Sequence, residues 1–182
     1  MERSNDPIRG QHEWVIPLLN PNLMNNDKTF FGIDNGVTGG ITILSDAHCL
    51  YHDITPVKEC LNYTKAKAFI HRVDADKIAN ILAGYTNPFC MIERPMINPM
   101  RFKASVSAIR CLEATEIILE HLHIPYQFID SKEWQKALLP SGLEKGELKK
   151  AADQVAKRLF PNLTIVNSDS LLIAEYCRRM KK

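Results

Sequence analysis

Paired cysteines, long apolar runs and internal repeats are what this 182-residue chain does not have. Its five cysteines, Cys49, Cys60, Cys90, Cys111 and Cys177, are widely spaced, and no Cys-x-x-Cys pair occurs. An odd count at such spacing argues against a disulfide framework or a cysteine zinc site, and for free thiols in a reducing compartment. No apolar stretch is long enough to cross a bilayer. The one apolar patch near the start, Trp14 to Leu19, is interrupted by Pro17 and too short for a secretory signal. A cytoplasmic location with no membrane partner is therefore expected. There is no low-complexity tract, so nothing suggests a solenoid or a long disordered linker.

What is present is an ordinary globular composition, 45% hydrophobic and 24% charged, in a length that suits one domain with a real core. Net charge is only +2, but it is unevenly spread. Residues 1–93 carry 8 basic and 11 acidic side chains, and residues 94–182 carry 15 and 10, giving −3 and +5. The basic half fits either solvated helix faces or a polyanion-binding surface.

Residues 1–28, rich in Asn and Pro, read as an N-terminal extension, loop or arm, with a short ordered piece expected around Trp14; a single domain over 29–182 follows. Three antiparallel strands are expected at about 29–34, 40–45 and 48–54, with a glycine-rich turn after the first. Residues 55–72 carry no clear pattern. Asp74 reads as a helix cap with Ile78, Ile81 and Leu82 on the buried face. Pro88 to Glu93 reads as a buried central strand. Helical spacing runs from Ser105 to Leu122, through Val106, Ile109, Leu112, Ile117 and Leu119. A strand at 125–129 follows, then a short helix capped by Ser131, a lysine-rich helix from Leu143 to Phe160, and a last helix capped by Ser168. This order predicts an α/β fold with a mixed sheet.

Three carboxylates stand at the ends of apolar stretches. Asp34 closes Phe30-Phe31-Gly32-Ile33, Glu93 closes Phe89-Cys90-Met91-Ile92, and Asp169 opens Leu171-Leu172-Ile173-Ala174. Each has an ordinary alternative: a turn residue, a surface ion pair with Arg94, and a first-turn helix acid. If they converge, mutual repulsion raises their pKa values unless a cation sits among them. Hard carboxylate oxygens suit magnesium or manganese, and two such ions about 4 Å apart can hydrolyse a phosphodiester.

The run Gly32-Ile33-Asp34-Asn35-Gly36-Val37-Thr38-Gly39 resembles the first motif of RuvC-type Holliday junction resolvases. Ile92-Glu93-Arg94-Pro95 resembles their second acidic motif, and Ser168-Asp169-Ser170-Leu171-Leu172-Ile173-Ala174-Glu175-Tyr176 resembles the terminal motif of phage-encoded members. The separations, 59 and 76 residues, fit as well, as do Trp134 and the helix start at Leu143-Glu144-Lys145. The resemblance implies a ribonuclease H-like fold: a mixed central sheet of three antiparallel strands then parallel ones, flanked by helices. It implies Mg2+-dependent cleavage of four-way or related branched DNA by a homodimer, with Mn2+ able to substitute and two ions per site. Asp34, Glu93 and Asp169 would be metal ligands, and Lys145, with Lys136 more loosely, would approach the scissile phosphate. Arg94, Arg101, Phe102, Lys103, Lys132, Lys136 and Lys149 would contact DNA. An apolar wedge would come from Met96, Met100 or Phe102.

Two departures stand out. Asn35 replaces the usual proline after the first Asp. Val166 occupies the place of a further acid or His, with Asn167 beside it as a possible extra ligand and Asp153 as another. Three other readings remain. One is a non-catalytic DNA-binding module on the same fold. The second is a related nuclease acting on RNA. The third is a sugar-kinase or actin-like phosphate loop, for which the chain is too short to supply a second lobe, so no nucleotide cofactor is expected.

Overall fold

The computed structural model describes residues 28–62 and 68–181. The expected extension over 1–28 lies, but for Lys28, outside the described residues. Seven strands and five helices follow in order: β1 (Thr29–Asp34), β2 (Gly40–Leu44), β3 (Cys49–Ile54), β4 (Val57–Leu61), β5 (Phe69–Val73), α1 (Ala75–Leu82), β6 (Pro88–Glu93), α2 (Phe102–His121), β7 (Tyr126–Ile129), α3 (Ser131–Leu138), α4 (Leu148–Leu159) and α5 (Ser168–Lys181).

Five strands form one sheet in the order β3-β2-β1-β6-β7. β1 pairs antiparallel with β2 and β2 with β3, whereas β1–β6 and β6–β7 are parallel. This is the mixed sheet that the sequence predicts. β1 and β2 are almost wholly buried, as strands covered on both faces must be, and their continuous apolar runs follow from that.

Side chains alternate across the sheet, and the alternation divides the core in two. Phe31, Ile33, Ile41, Ile43, Cys90 and Ile92 pack under α1 and α2. Phe30, Leu44, Met91 and Ile129 pack on the other face, under α3, α4 and α5 with Trp134, Val155, Leu171 and Leu172. Asp34 has the parity of Phe30 and Gly32, and Glu93 that of Met91. Both acids therefore belong to the α5 face, at the carboxyl end of neighbouring parallel strands.

Helix α5 comes unusually near that face. A Cβ on Gly32 would stand 2.2 Å from the Ala174 backbone nitrogen and 2.4 Å from the Ser170 carbonyl oxygen. A Cβ on Gly40 would stand 2.7 Å from Asn167 Cβ. Glycine is needed at both places because backbone and helix occupy the room that a methyl group would take.

Several boundaries differ from the sequence reading. Where residues 55–72 showed no pattern, β4 and β5 pair antiparallel as a separate two-stranded sheet. Its apolar pair Leu61 and Phe69 is exposed, so burial periodicity is missing. Helix α2 starts at Phe102, and Ile109 and Ile117 lie on its exposed side. Its buried stripe is Ser105, Cys111, Thr115, Ile118 and Leu119, since a 3.6-residue period through Cys111 leaves Ile109 opposite. The cap of α3 is Asp130 rather than Ser131, with the Glu133 carboxylate accepting the Asp130 N–H at 3.1 Å. Asn167, not Ser168, caps α5: the Ser170 N–H donates to Asn167 Oδ1 at 2.8 Å. The lysine-rich helix begins at Leu148, five residues later than expected, because residues 143–147 form a turn in which Glu147 Oε2 accepts the Glu144 N–H. All five cysteines are free thiols, and no helix among the described residues is long and apolar enough to cross a membrane.

Gly32→Ala is expected to lower unfolding stability by about 1–3 kcal/mol, the usual range for overpacking a rigid contact. Urea denaturation of purified protein checks this, with Gly84→Ala, where no atom lies within 4 Å of the added Cβ but φ is +83°, as a control for backbone strain alone.

Candidate functional site

The carboxyl ends of β1 and β6 and the first turn of α5 meet at one edge of the sheet. Ligands of open α/β sheets bind at such an edge. Asp34 and Glu93 end neighbouring strands on the same face, near enough for each to act on the other's ionisation. Asp169 is near enough that its charge acts on both. The three acids singled out from the sequence are thus neighbours. They do not form a finished cage: among the described residues, no three His, Cys, Asp or Glu side chains are arranged to enclose a metal ion.

Each acid instead leans on a protein donor. Asn167 Nδ2 donates to Asp34 Oδ2 at 3.0 Å. The indole N–H of Trp134, itself buried in the core, donates to Glu93 Oε1 at 3.2 Å. Lys149 Nζ lies 3.2 Å from Asp169 Oδ2 and 3.3 Å from Ser168 Oγ. The Ser168 hydroxyl donates to Asp153 Oδ1 at 2.6 Å, which ties α4 to the start of α5 and employs Asp153 structurally.

Electrostatics follow from this placement. Burial first, then the charge of Asp34 and, less strongly, that of Asp169 push the Glu93 carboxyl up to about 7, against the opposing effects of Trp134 and Ser131. Asp34 is also raised, first by burial and then by Asp169, with the Asn167 bond and the Lys149 charge opposing. Both carboxyls are raised chiefly by burial and then by a neighbouring acid, an environment in which a bound cation would favour the ionised forms. The donor set, three hard carboxylates, fits Mg2+ or Mn2+ and no softer metal.

The basic residues divide. Lys149 reaches the acids. Lys145 lies in the exposed turn ahead of α4, because that helix starts later than the sequence suggests. The signal for Lys149 was available: it shares a helical phase with buried Ala152 and Ala156, which face the core beneath α5. Lys132 and Lys136 are exposed on α3. Arg94 is partly committed, with Nη1 3.0 Å from Asp130 Oδ1 and its guanidinium over the Phe128 ring. Arg101, Phe102 and Lys103 stand exposed at the start of α2, beside exposed Met96 and Met100. Val166 is half exposed and its backbone N–H donates to His52 Nε2 at 3.1 Å. His52 was not anticipated. Burial lowers its pKa, partly offset by Asp53, and a lone histidine in a short strand gives no periodic signal.

No protein-family model and no curated protein matches this sequence. Solved structures do. The chain is similar to Thermus thermophilus RuvC in complex with a Holliday junction substrate, with a TM-score of 0.59 and 14% identity, over 84% of this chain and 96% of that one. A second Thermus thermophilus RuvC structure matches with a TM-score of 0.50 and 12% identity over the same shares. At such identity the likeness establishes the fold, a ribonuclease H-like α/β domain.

Without metal, ionisation of the paired acids must cost stability. A carboxyl raised on folding contributes stability that is complete below its unfolded pKa and lost as pH rises through its folded one. For Glu93 that window runs from the ordinary 4.5 to about 7. The metal-free melting temperature is expected to fall by about 5 °C between pH 5 and pH 8, and Glu93→Gln to flatten most of that slope in calorimetric scans.

Proposed function

We propose that this protein is a Mg2+-dependent endonuclease that hydrolyses phosphodiesters in four-way and related branched DNA. The observation that carries the reading is the convergence of Asp34, Glu93 and Asp169, from three separate elements, with raised pKa values on the first two. Asp34, Glu93 and Asp169 would hold the ion or ion pair, which would supply Lewis-acid activation of a water and of the phosphate. The protein's own contribution is positional. Trp134 fixes Glu93 and Asn167 fixes Asp34. Lys149 pairs with Asp169, and were a cation to hold that carboxylate, its ammonium would be available to the phosphate. The phosphate-facing part first expected of Lys145 is thereby assigned to Lys149.

Branched DNA is supported by the motif resemblance and by the cations flanking the site on α2 and α3. Arg101, Lys103, Lys132 and Lys136 would follow the backbone, with Arg94 and Phe102 beside them. Backbone contacts make binding salt-sensitive and read geometry more than base identity. A homodimer would nick two strands symmetrically, in the cytoplasm of a bacterial host if the chain is phage-encoded.

A second reading has an observation of its own. Asp169 is engaged by Lys149, and Val166 supplies no carboxylate. A branched-DNA-binding module without catalysis would look like this, and it would gain no stability from magnesium.

Labelled four-way junction, flap, duplex and RNA–DNA hybrid, incubated with and without Mg2+, test the reading. Paired symmetric nicks in the junction that require Mg2+ are expected. Nicking of the hybrid alone would redirect the proposal to RNA. Asp34→Asn should bind the junction yet cut it on the order of a thousandfold more slowly. Lys149→Ala should lose about a hundredfold, while Lys145→Ala stays within about threefold. The reverse order of the two lysines would return the phosphate to Lys145.

A further inference from the structure

His52 lies opposite Thr42 in the β2–β3 register, on the sheet face toward α5. Its ring nitrogen Nε2 accepts the Val166 N–H at 3.1 Å and, more distantly, the Asn167 N–H at 3.5 Å. The ring proton therefore belongs on Nδ1, which lies 2.8 Å from Thr42 Oγ1. Thr42 is 2.9 Å from Ser170 Oγ, and Ser170 donates to the Asn167 carbonyl at 3.3 Å. One direction satisfies every group: His52 to Thr42, Thr42 to Ser170, Ser170 to Asn167. Thr42 and Ser170 are fully buried, so neither hydroxyl has water as an alternative.

The orientation of Asn167 follows. Its Oδ1 is taken by the Ser170 backbone N–H at 2.8 Å, and its Nδ2 donates to Asp34 Oδ2 at 3.0 Å. Turning the amide over would set oxygen against a carboxylate and NH2 against an N–H. Gly40 closes the remaining space, since a Cβ there would lie 2.8 Å from Asn167 Cγ.

We propose that His52, Thr42 and Ser170 are positioning residues that lock Asn167 as an orienting donor to Asp34, and that Asn167 is not a fourth metal ligand. The proposal rests on the metal-site reading above. Amide nitrogen does not ligate Mg2+, and the one atom of Asn167 that could is already occupied. Asn167 instead donates to Oδ2 of Asp34 and not to Oδ1, which stays available to a cation. The site then carries three negative charges rather than four, and position 166 is needed only for its backbone N–H. That is why a valine serves there.

The test uses Thr42→Val, which keeps the buried shape, and His52→Phe, at a position only partly buried. The Asn167 side-chain NH2 resonances, assigned by their loss in Asn167→Asp, report the lock directly without metal. In the unaltered chain one NH2 proton should be shifted and slow to exchange. Both variants should return it to a solvent-exposed position, and should weaken Mg2+ binding in calorimetry about tenfold, as loss of outer-sphere support does. Their turnover on junction DNA should fall while KM holds. A locked NH2 in both variants overturns the proposal, as does an unlocked one with unchanged Mg2+ affinity. If the unaltered chain binds neither Mg2+ nor Mn2+, the nuclease reading fails, and the relay still stands or falls on the NH2 signature.

Discussion

Helix α5 lies so near the backbone of β1 that one methyl group at Gly32 would meet the Ala174 nitrogen at 2.2 Å. That approach, repeated at Gly40, sets the geometry of everything at the sheet edge. A helix held at ordinary distance by larger side chains would carry Asp169 away from Asp34 and Asn167 out of reach of Asp34 Oδ2. The small residues of α5, Ser170 and Ala174, are the matching half of the contact. Packing is thus the cause, and the acidic cluster its consequence. The same helix also buries Leu171, Leu172 and Ile173, so the energy that seats it is hydrophobic and does not depend on the charges it delivers.

Those charges oppose one another. Two carboxylates about 4 Å apart repel by about 4 kcal/mol at an effective dielectric constant near 20. The chain offsets part of this with donors: an indole N–H, a carboxamide and one ammonium. Lys149 is largely exposed, so its pair with Asp169 contributes at most about 1 kcal/mol. Burial first, and then the neighbouring acids, displace Glu93 and Asp34 upward, so that protonation offsets part of the remainder. A divalent cation would do the same work without protons, which links metal affinity to pH in this site.

The sequence carried the sheet and the acids because both leave strong local marks. Buried strands must be apolar end to end, so Asp34 and Glu93 stand out as the residues that terminate them. Asp169 stood out less, since a first-turn acid is common, and its significance lay in its place before Leu171-Leu172-Ile173. The β4–β5 hairpin was illegible because Leu61 and Phe69 are exposed and alternation therefore fails. The start of α4 was misplaced because Leu143, Glu144 and Lys145 have helix-compatible side chains but fold into a turn. His52 could not be read at all, and Asn167 was read as a possible ligand rather than as a donor to Asp34. Their roles depend on contacts across more than 100 residues, and no spacing rule encodes such a meeting.

Likeness of fold and likeness of site are separate matters here. The backbone is similar to that of Thermus thermophilus RuvC at 14% identity, a level at which the architecture persists and chemistry need not. What speaks for chemistry is internal to this chain. A folded domain has no structural use for two partly buried acids that repel each other, and replacing either by an amide would relieve the strain. Their placement beside a third acid, each acid held by its own donor, is what the proposed cation site would require. Lys149 sharpens the point. As a permanent partner it would be weak and exposed. Were a cation to take its place at Asp169, the Lys149 ammonium, now 3.2 Å from Oδ2, would become available to an anionic substrate under the proposed function.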